Sequence, residues 1–188
     1  MYYSLDERKK ILAKINSDIE QEKSIIEMVE ALYVTLKINK NERISTSQTV
    51  KLLGGQIEHF DNAEDEVETV LKSDDNSFII RIYRNLSVEH RRITIARYLA
   101  ILFLHMGYQT EKWDKVQSYV DELRVTNHYK TRHDEFTFAL NFLMPADVFE
   151  NKFAEACEEE DRIKKIAEFF QLEEEFIERR GRDLGLLD

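Results

Sequence analysis

The spacing of apolar residues changes along the chain, and this change limits the folds that the chain can adopt. In residues 5–38 apolar residues recur at three- to seven-residue steps with charges between them, which predicts a helix or a helix pair. In residues 55–84 three short runs are rich in Ile, Val, Phe and Tyr, and the turn-forming "DNAEDE" and "SDDN" separate them. These runs predict a small three-stranded antiparallel sheet. Helical spacing returns after Ser87, so we expect a mainly helical α+β fold.

The second half of the chain predicts several helices. Ser87 is a suitable N-cap for a helix over residues 87–106, and a second helix is expected over 111–124. A third covers 128–145 and stops at Pro145. A short helix and a pair similar to a helix–turn–helix complete the tail. We divide the chain into an N-terminal helical segment (1–45), a core (46–157) and a C-terminal helical pair (158–188).

Composition excludes several classes of protein. The net charge of −10 disfavours nonspecific binding to nucleic acid or to an anionic membrane, because both need a basic surface. The single cysteine, Cys157, excludes an intrachain disulfide and a zinc site built from several cysteines. The N-terminus does not resemble a signal peptide, and no apolar run is long enough to span a membrane. We therefore expect a cytoplasmic protein.

Three phrases in the second half of the sequence occur in a fixed order. They are "TIARYLAILFLH" (94–105), "DEFTFALNFLMP" (134–145) and "LGLL" (184–187). Their order and wording resemble the ImmA/IrrE family of zinc metallopeptidases, over roughly residues 50–188. The resemblance implies that the small sheet packs on a zincin-like central helix. That helix would carry the metal site, and the 46–157 core would be metallopeptidase-like.

The residues that would define the enzyme are missing from these phrases. By the resemblance, Arg97 stands at the first ligand histidine, Tyr98 at the catalytic glutamate, Ile101 at the second histidine and Asp134 at the ligand glutamate. Arginine has no lone pair for zinc, isoleucine has no donor, and tyrosine is a protonated phenol at neutral pH. We therefore predict a degenerate HExxH site with no metal cofactor and no catalytic residue. An ion pair between Arg97 and Asp134 is expected to fill the space of the metal.

Other polar residues offer alternatives to this interpretation. His105, His128 and His133 are candidate cleft residues, and a metal site that they rebuilt with Asp134 would make the chain an active metallopeptidase. Arg179, Arg180 and Arg182 cluster on the last predicted helix and are candidate contacts to nucleic acid. Residues 155–188, however, hold 12 acidic and 6 basic side chains. This balance favours a packing or protein-binding tail over a DNA-binding one.

The expected function is binding rather than catalysis. The resemblance implies a phage or mobile-element regulator, in which a pseudoenzyme docks on a helix–turn–helix repressor or another regulator and sequesters it. The acidic surface suits a basic protein partner and makes nucleic acid an unlikely one. The N-terminal helix is a candidate homodimer contact. The two alternatives are an active metallopeptidase with rewired ligands and a DNA-binding transcriptional regulator that uses the tail.

Overall fold

A computed structural model describes residues 25–61, 68–73, 77–116, 118–119, 129–156 and 160–188. The predicted helix before residue 25, together with His128 and Cys157, lies outside these ranges. The described α-helices are α1 (Ile25–Leu36), α2 (Thr46–Leu52), α3 (Val88–Ala100), α4 (Glu111–Lys115), α5 (Tyr129–Leu143), α6 (Ala146–Glu155), α7 (Arg162–Phe170) and α8 (Glu174–Asp183). The strands are β1 (Gln56–Phe60), β2 (Thr69–Lys72), β3 (Phe78–Tyr83) and β4 (Ser118–Tyr119).

The sheet confirms the α+β prediction and corrects its strand pairing. The three predicted runs form β1, β2 and β3, and the order across the sheet is β1-β3-β2-β4. β2 is antiparallel to both β3 and β4. β1 runs parallel to β3, so the expectation of a purely antiparallel sheet was wrong. The most apolar run, β3, takes the interior position between β1 and β2, so β1 and β2 are consecutive in sequence but are not neighbours in the sheet.

Strand β3 shows why the sheet packs on one side. Phe78, Ile80 and Ile82 are fully buried, and the residues between them are half-buried. This alternation is the one expected of a strand with one face on the core. The buried face packs against α3, which lies between the sheet and α5. The central helix therefore occupies the middle layer of the molecule.

The predicted helix over residues 87–106 is confirmed, with one addition. Ser87 caps α3, because its hydroxyl accepts a 3.0 Å hydrogen bond from the backbone N–H of His90. After Ala100 the helix continues as a π-helix over Ile101–His105. The N–H of Met106 donates to the carbonyl of Ile101 at 3.0 Å, five residues back. Such wide turns often occur at functional sites.

Two local predictions differ from the structure. The helix expected over 111–124 ends at Lys115, where Val116 is extended, and β4 then pairs with β2. Fully buried Trp113 anchors this short helix to the core. Helix α2 was missed, although Ser45 and Gln48 have the spacing of a capping box. The Ser45 hydroxyl accepts from the N–H of Gln48 and begins that helix.

The outer helices complete the core. α1 packs its apolar side against α5, so the described part of the N-terminal segment uses that side inside the chain. The short helix and helical pair predicted for the tail are confirmed as α6, α7 and α8. Gly181 lets the tail fold back, because a Cβ there would lie 2.6 Å from the side chain of Leu187. Among the described residues, no helix has the length and apolarity to cross a membrane.

Candidate functional site

The candidate site lies where α3 passes into the π-helix. The N–H of Ile101 donates to the carbonyl of Arg97, so these residues stand one helical turn apart, as the sequence predicts. The Arg97 side chain is 32% exposed, while Ile101 is buried in the core. The site therefore presents one cation at its rim and an apolar side chain beneath it.

Arg97 forms an ion pair with Glu135 of α5. Its Nη2 lies 3.0 Å from Glu135 Oε2, and the Glu135 side chain is completely buried. The sequence predicted that Arg97 pairs with Asp134. That prediction was wrong, because the partner is the next residue, Glu135. Glu135, Phe138, Ala139 and Phe142 share the buried stripe of α5, whereas Asp134 is rotated about 100° from it and is half-buried. The helical stripe in the sequence was the signal that would have identified Glu135.

Aromatic contacts hold the Arg97 guanidinium in place. It lies 4.5 Å from the ring centre of Phe136, and the guanidinium of Arg179 in α8 lies 4.9 Å from the same ring. Phe136 also stacks on Phe176 of α8, with ring centres 6.2 Å apart. Cation–π contacts of this kind are attractive at such distances. The tail is thus joined to the candidate site through one phenylalanine.

Tyr98 cannot replace a catalytic glutamate as a general base at neutral pH. Burial raises the pKa of its phenol, and the nearby carboxylate of Glu68 raises it further. The hydroxyl therefore stays protonated. Its electrostatic neighbours also include Tyr83 at the end of β3, so Tyr98 lies near the junction of β2 and β3. Glu68 binds that junction directly, because its carboxylate accepts from the N–H of Tyr83 at 3.3 Å.

Of the three candidate histidines, the structure describes His105 and His133. His105 is half-buried at the end of the π-helix, His133 is exposed on α5, and His128 lies outside the described residues. In the part of the chain that the structure describes, no group of three or more His, Cys, Asp and Glu side chains is placed to hold a metal ion.

Comparison with known families decides the relationship. A peptidase family model, described as the IrrE N-terminal-like domain, matches residues 57–181, about two thirds of the chain. The chain belongs to the IrrE N-terminal-like family. This confirms the resemblance seen in the three phrases. No curated protein and no solved structure matches the chain significantly.

The residues that the sequence resemblance assigns to the metal position of an IrrE N-terminal-like domain do not fit zinc. Arg97 and Ile101 have no lone pair to donate, and the carboxylate of Glu135 is held by Arg97. A guanidinium at this place also repels a dication. The chemistry that these residues support is therefore ion pairing and packing, not activation of a metal-bound water.

The three tail arginines of this IrrE N-terminal-like chain do not share a surface. Arg180 is buried and donates to the carbonyl of Met144 at 3.1 Å and to Asn141 Oδ1 at 3.0 Å. It is therefore not available to nucleic acid, in contrast to the prediction. Arg179 rests on Phe136, and Arg182 is exposed with Glu178 at 3.7 Å. The linear cluster in the sequence is divided among three environments.

Proposed function

We propose that the chain is a catalytically inactive metallopeptidase-like protein that acts by binding another protein. The observation that carries this proposal is the ion pair between Arg97 and Glu135 at 3.0 Å. An IrrE N-terminal-like protease would need donors on this helix and an ionised base beside them. Here a cation, an apolar residue and a protonated phenol take those positions.

The ion pair gives the site a structural role in place of a catalytic one. Breaking a buried pair by removing one partner leaves an uncompensated charge, which is costly. Arg97 therefore stabilises the approach of α3 to α5, the helices that a metal site would otherwise join. The shape of the peptidase fold is kept while its chemistry is replaced.

The docking surface we propose surrounds Arg97 and Tyr98, near the start of β2 at Glu68. β4 pairs with Val70 and Leu71, so it covers that part of the β2 edge. The surface next to Glu68 and Tyr98 lies beyond this pairing. The net charge of −10 favours a basic partner. We propose a phage or mobile-element regulator that sequesters a helix–turn–helix repressor, or another regulator, without cutting it.

The first test measures metal. The chain is purified without chelator, mixed with one equivalent of zinc, dialysed, and assayed for metal by mass spectrometry. We expect no retained zinc. A triple variant with Arg97→His, Tyr98→Glu and Ile101→His restores the missing residue types and reports whether the frame can still hold the ion. Close to one zinc per wild-type chain, with micromolar or tighter affinity, contradicts the proposal.

The second test measures binding and cleavage together. The full chain is used to capture partners from its native cells, any helix–turn–helix repressor recovered is mixed with it, and the complex is followed by calorimetry and intact-mass spectrometry. We expect a complex in which the repressor keeps its full mass. Glu68→Arg should weaken it, whereas Glu160→Arg, the same change on an exposed residue before α7, should not. A shortened repressor would identify an active peptidase instead.

A further inference from the structure

A cavity lies away from the candidate site, where β1 meets α2 and the first half of α3. Its volume is about 480 Å³, and all three elements contribute to its walls. Arg97, Tyr98 and Glu135 do not line it. The volume falls within the range of roughly 300–1,000 Å³ that is typical of small-molecule sites.

The charge of this cavity is opposite to that of the whole chain. Lys51, Arg91, Arg92 and His59 line it, and none of its described lining residues is Asp or Glu. The chain itself has 37 acidic and 27 basic residues. A wall with several cations and no carboxylate is unexpected in such a protein. A concave surface with charges of one sign concentrates ligands of the other sign.

Arg92 is the centre of this charge. Its side chain is 8% exposed, and one nitrogen, Nη1, donates to the carbonyl of Ile44 at 3.0 Å. Its Nε and Nη2 have no hydrogen-bond partner in the described part of the chain. Burial, and then repulsion by Arg43, lower the pKa of Arg92 to about 10, so the guanidinium is still charged at neutral pH. The carboxylate of Glu89 acts on Arg92 more weakly than burial and Arg43 do. A buried cation with no carboxylate among its described hydrogen-bond partners is costly, and an external anion would lower that cost.

Neighbouring groups add to the positive potential around Arg92. Arg91 donates through Nη2 to the carbonyls of Arg84 and Leu86, both at 3.3 Å, and these described acceptors are neutral. Burial, and then the charges of Arg91 and Arg84, lower the pKa of His59. At neutral pH His59 is therefore an uncharged group that can donate or accept a hydrogen bond.

The rest of the wall is apolar. Val50, Ile57 and Ile95 line the cavity beside the cations. Val50 and Ile95 are buried in the core, so this part of the wall is rigidly held. A site with a few charged groups on an apolar wall suits a ligand with a charged head and an apolar body.

We propose that this cavity binds a small organic oxyanion. Its carboxylate or phosphate group is held by Arg92, Arg91 and Lys51, and its apolar body rests on Val50, Ile57 and Ile95. Guanidinium groups bind both kinds of head group through charge-assisted hydrogen bonds. This site is independent of the proposed function at Arg97 and stands whether or not that function is correct.

The test is calorimetric titration of the full chain with phenyl phosphate and with phenylacetate. The two probes share an aromatic body and differ in the head group. We expect one site per chain for at least one of them, and the tighter probe identifies the head group. Arg92→Met should weaken binding about tenfold or more, as expected for a lost hydrogen bond between charged groups. Lys51→Ala should weaken it several-fold, whereas Lys164→Ala, which removes an exposed charge from α7, should leave it unchanged.

Each outcome of this experiment supports or overturns the proposal. Absence of binding by both probes at 10 mM, on the order of the weakest affinity useful for a specific site, overturns it. Equal weakening by Lys51→Ala and Lys164→Ala also overturns it, because it would show general attraction to the surface. If Arg92→Met does not fold, Lys51→Ala carries the test, since Lys51 is exposed and contributes no core packing.

Discussion

Arg92 and Arg97 stand on the same helix, five residues apart, and their charges are compensated in opposite ways. Five residues rotate an α-helix by about 140° beyond one full turn, so the two side chains leave α3 on different sides. Arg97 lies 3.0 Å from a buried carboxylate. Arg92 donates to one backbone carbonyl and lines a cavity together with other cationic side chains. A charge in a protein interior thus has its counterion either inside the fold or outside it. The first arrangement stabilises structure, and the second favours a ligand.

The largest expected effect comes from breaking the paired side of this comparison. Arg97→Met should lower the free energy of unfolding by about 2–4 kcal/mol, because it removes the ion pair that Arg97 makes with the buried Glu135. The figure is below that of a fully buried pair, since Arg97 is 32% exposed and partly screened by solvent. Urea denaturation measures the change.

A double variant separates the ion pair from the packing at the same place. Arg97→Met with Glu135→Leu should recover most of the loss, because two apolar side chains of similar size need no charge compensation. Arg182→Met, which removes an exposed arginine, should change stability by less than about 0.5 kcal/mol. If the double variant is no more stable than Arg97→Met, the loss is due to packing and the ion pair has no structural role.

Arg180 provides an intermediate case, a buried arginine held by neutral acceptors. Its donors satisfy Met144 and Asn141, and burial lowers the pKa of its guanidinium. Arg180→Met should cost about 1–3 kcal/mol, because buried acceptors lose their hydrogen bonds. Denaturation in urea, with Arg182→Met as the matched control on the same helix, measures it. Equal stability of the two variants would show that these hydrogen bonds add nothing.

The unpaired side of the comparison should respond differently. Arg92→Met should change the free energy of unfolding by no more than about 1 kcal/mol without ligand, because the lost hydrogen bond to Ile44 is offset by removal of a buried charge that burial disfavours. At ten times its dissociation constant for the wild type, the tighter oxyanion probe should stabilise the wild type by about 1.4 kcal/mol and the variant by about 0.4 kcal/mol or less. A probe that stabilises both proteins equally would not bind through Arg92.

Local features of this fold were predictable from the sequence, because their causes are local. The hydroxyl of Ser87 begins α3, and the alternation in β3 follows from one buried face. Both signals lie within a few residues of the structure that they determine. The three phrases indicated the family, and the family match over residues 57–181 confirms it.

The features that sequence reasoning missed depend on distant parts of the chain. No residue pattern near β1 predicts that this strand pairs in parallel with β3, on the side of β3 opposite to β2. The sequence after Lys115 continues the helical spacing, but Val116 is extended, and Ser118 and Tyr119 pair with β2 instead. In the sequence, Arg180 is expected to lie on the surface because it stands beside Arg179 and Arg182. It is buried because α8 packs near the end of α5, where Arg180 donates to the carbonyl of Met144.

The smallest expected effect concerns His59, which reports the potential of the cavity. Burial lowers the pKa of this imidazole first, and Arg91 and Arg84 lower it further. The unfolded chain, with a pKa near 6.5, therefore binds more protons than the folded chain in the window just below that value. Stability should fall slightly as pH drops through this window and should not change above it.

Histidine proton shifts in NMR titrations separate the three causes of the lowered His59 pKa. Arg91→Gln should raise that pKa without restoring it fully, because burial and Arg84 still act on the ring. Arg84→Gln should raise the pKa of His59 less, since Arg91 lowers that pKa more than Arg84 does. A bound phosphate should raise it in the wild type, because an anion beside the ring favours the imidazolium. If neither Arg91→Gln nor the phosphate probe changes the pKa of His59, the cations of this cavity exert no common electrostatic field. The contrast between Arg92 and Arg97 would then be one of burial alone.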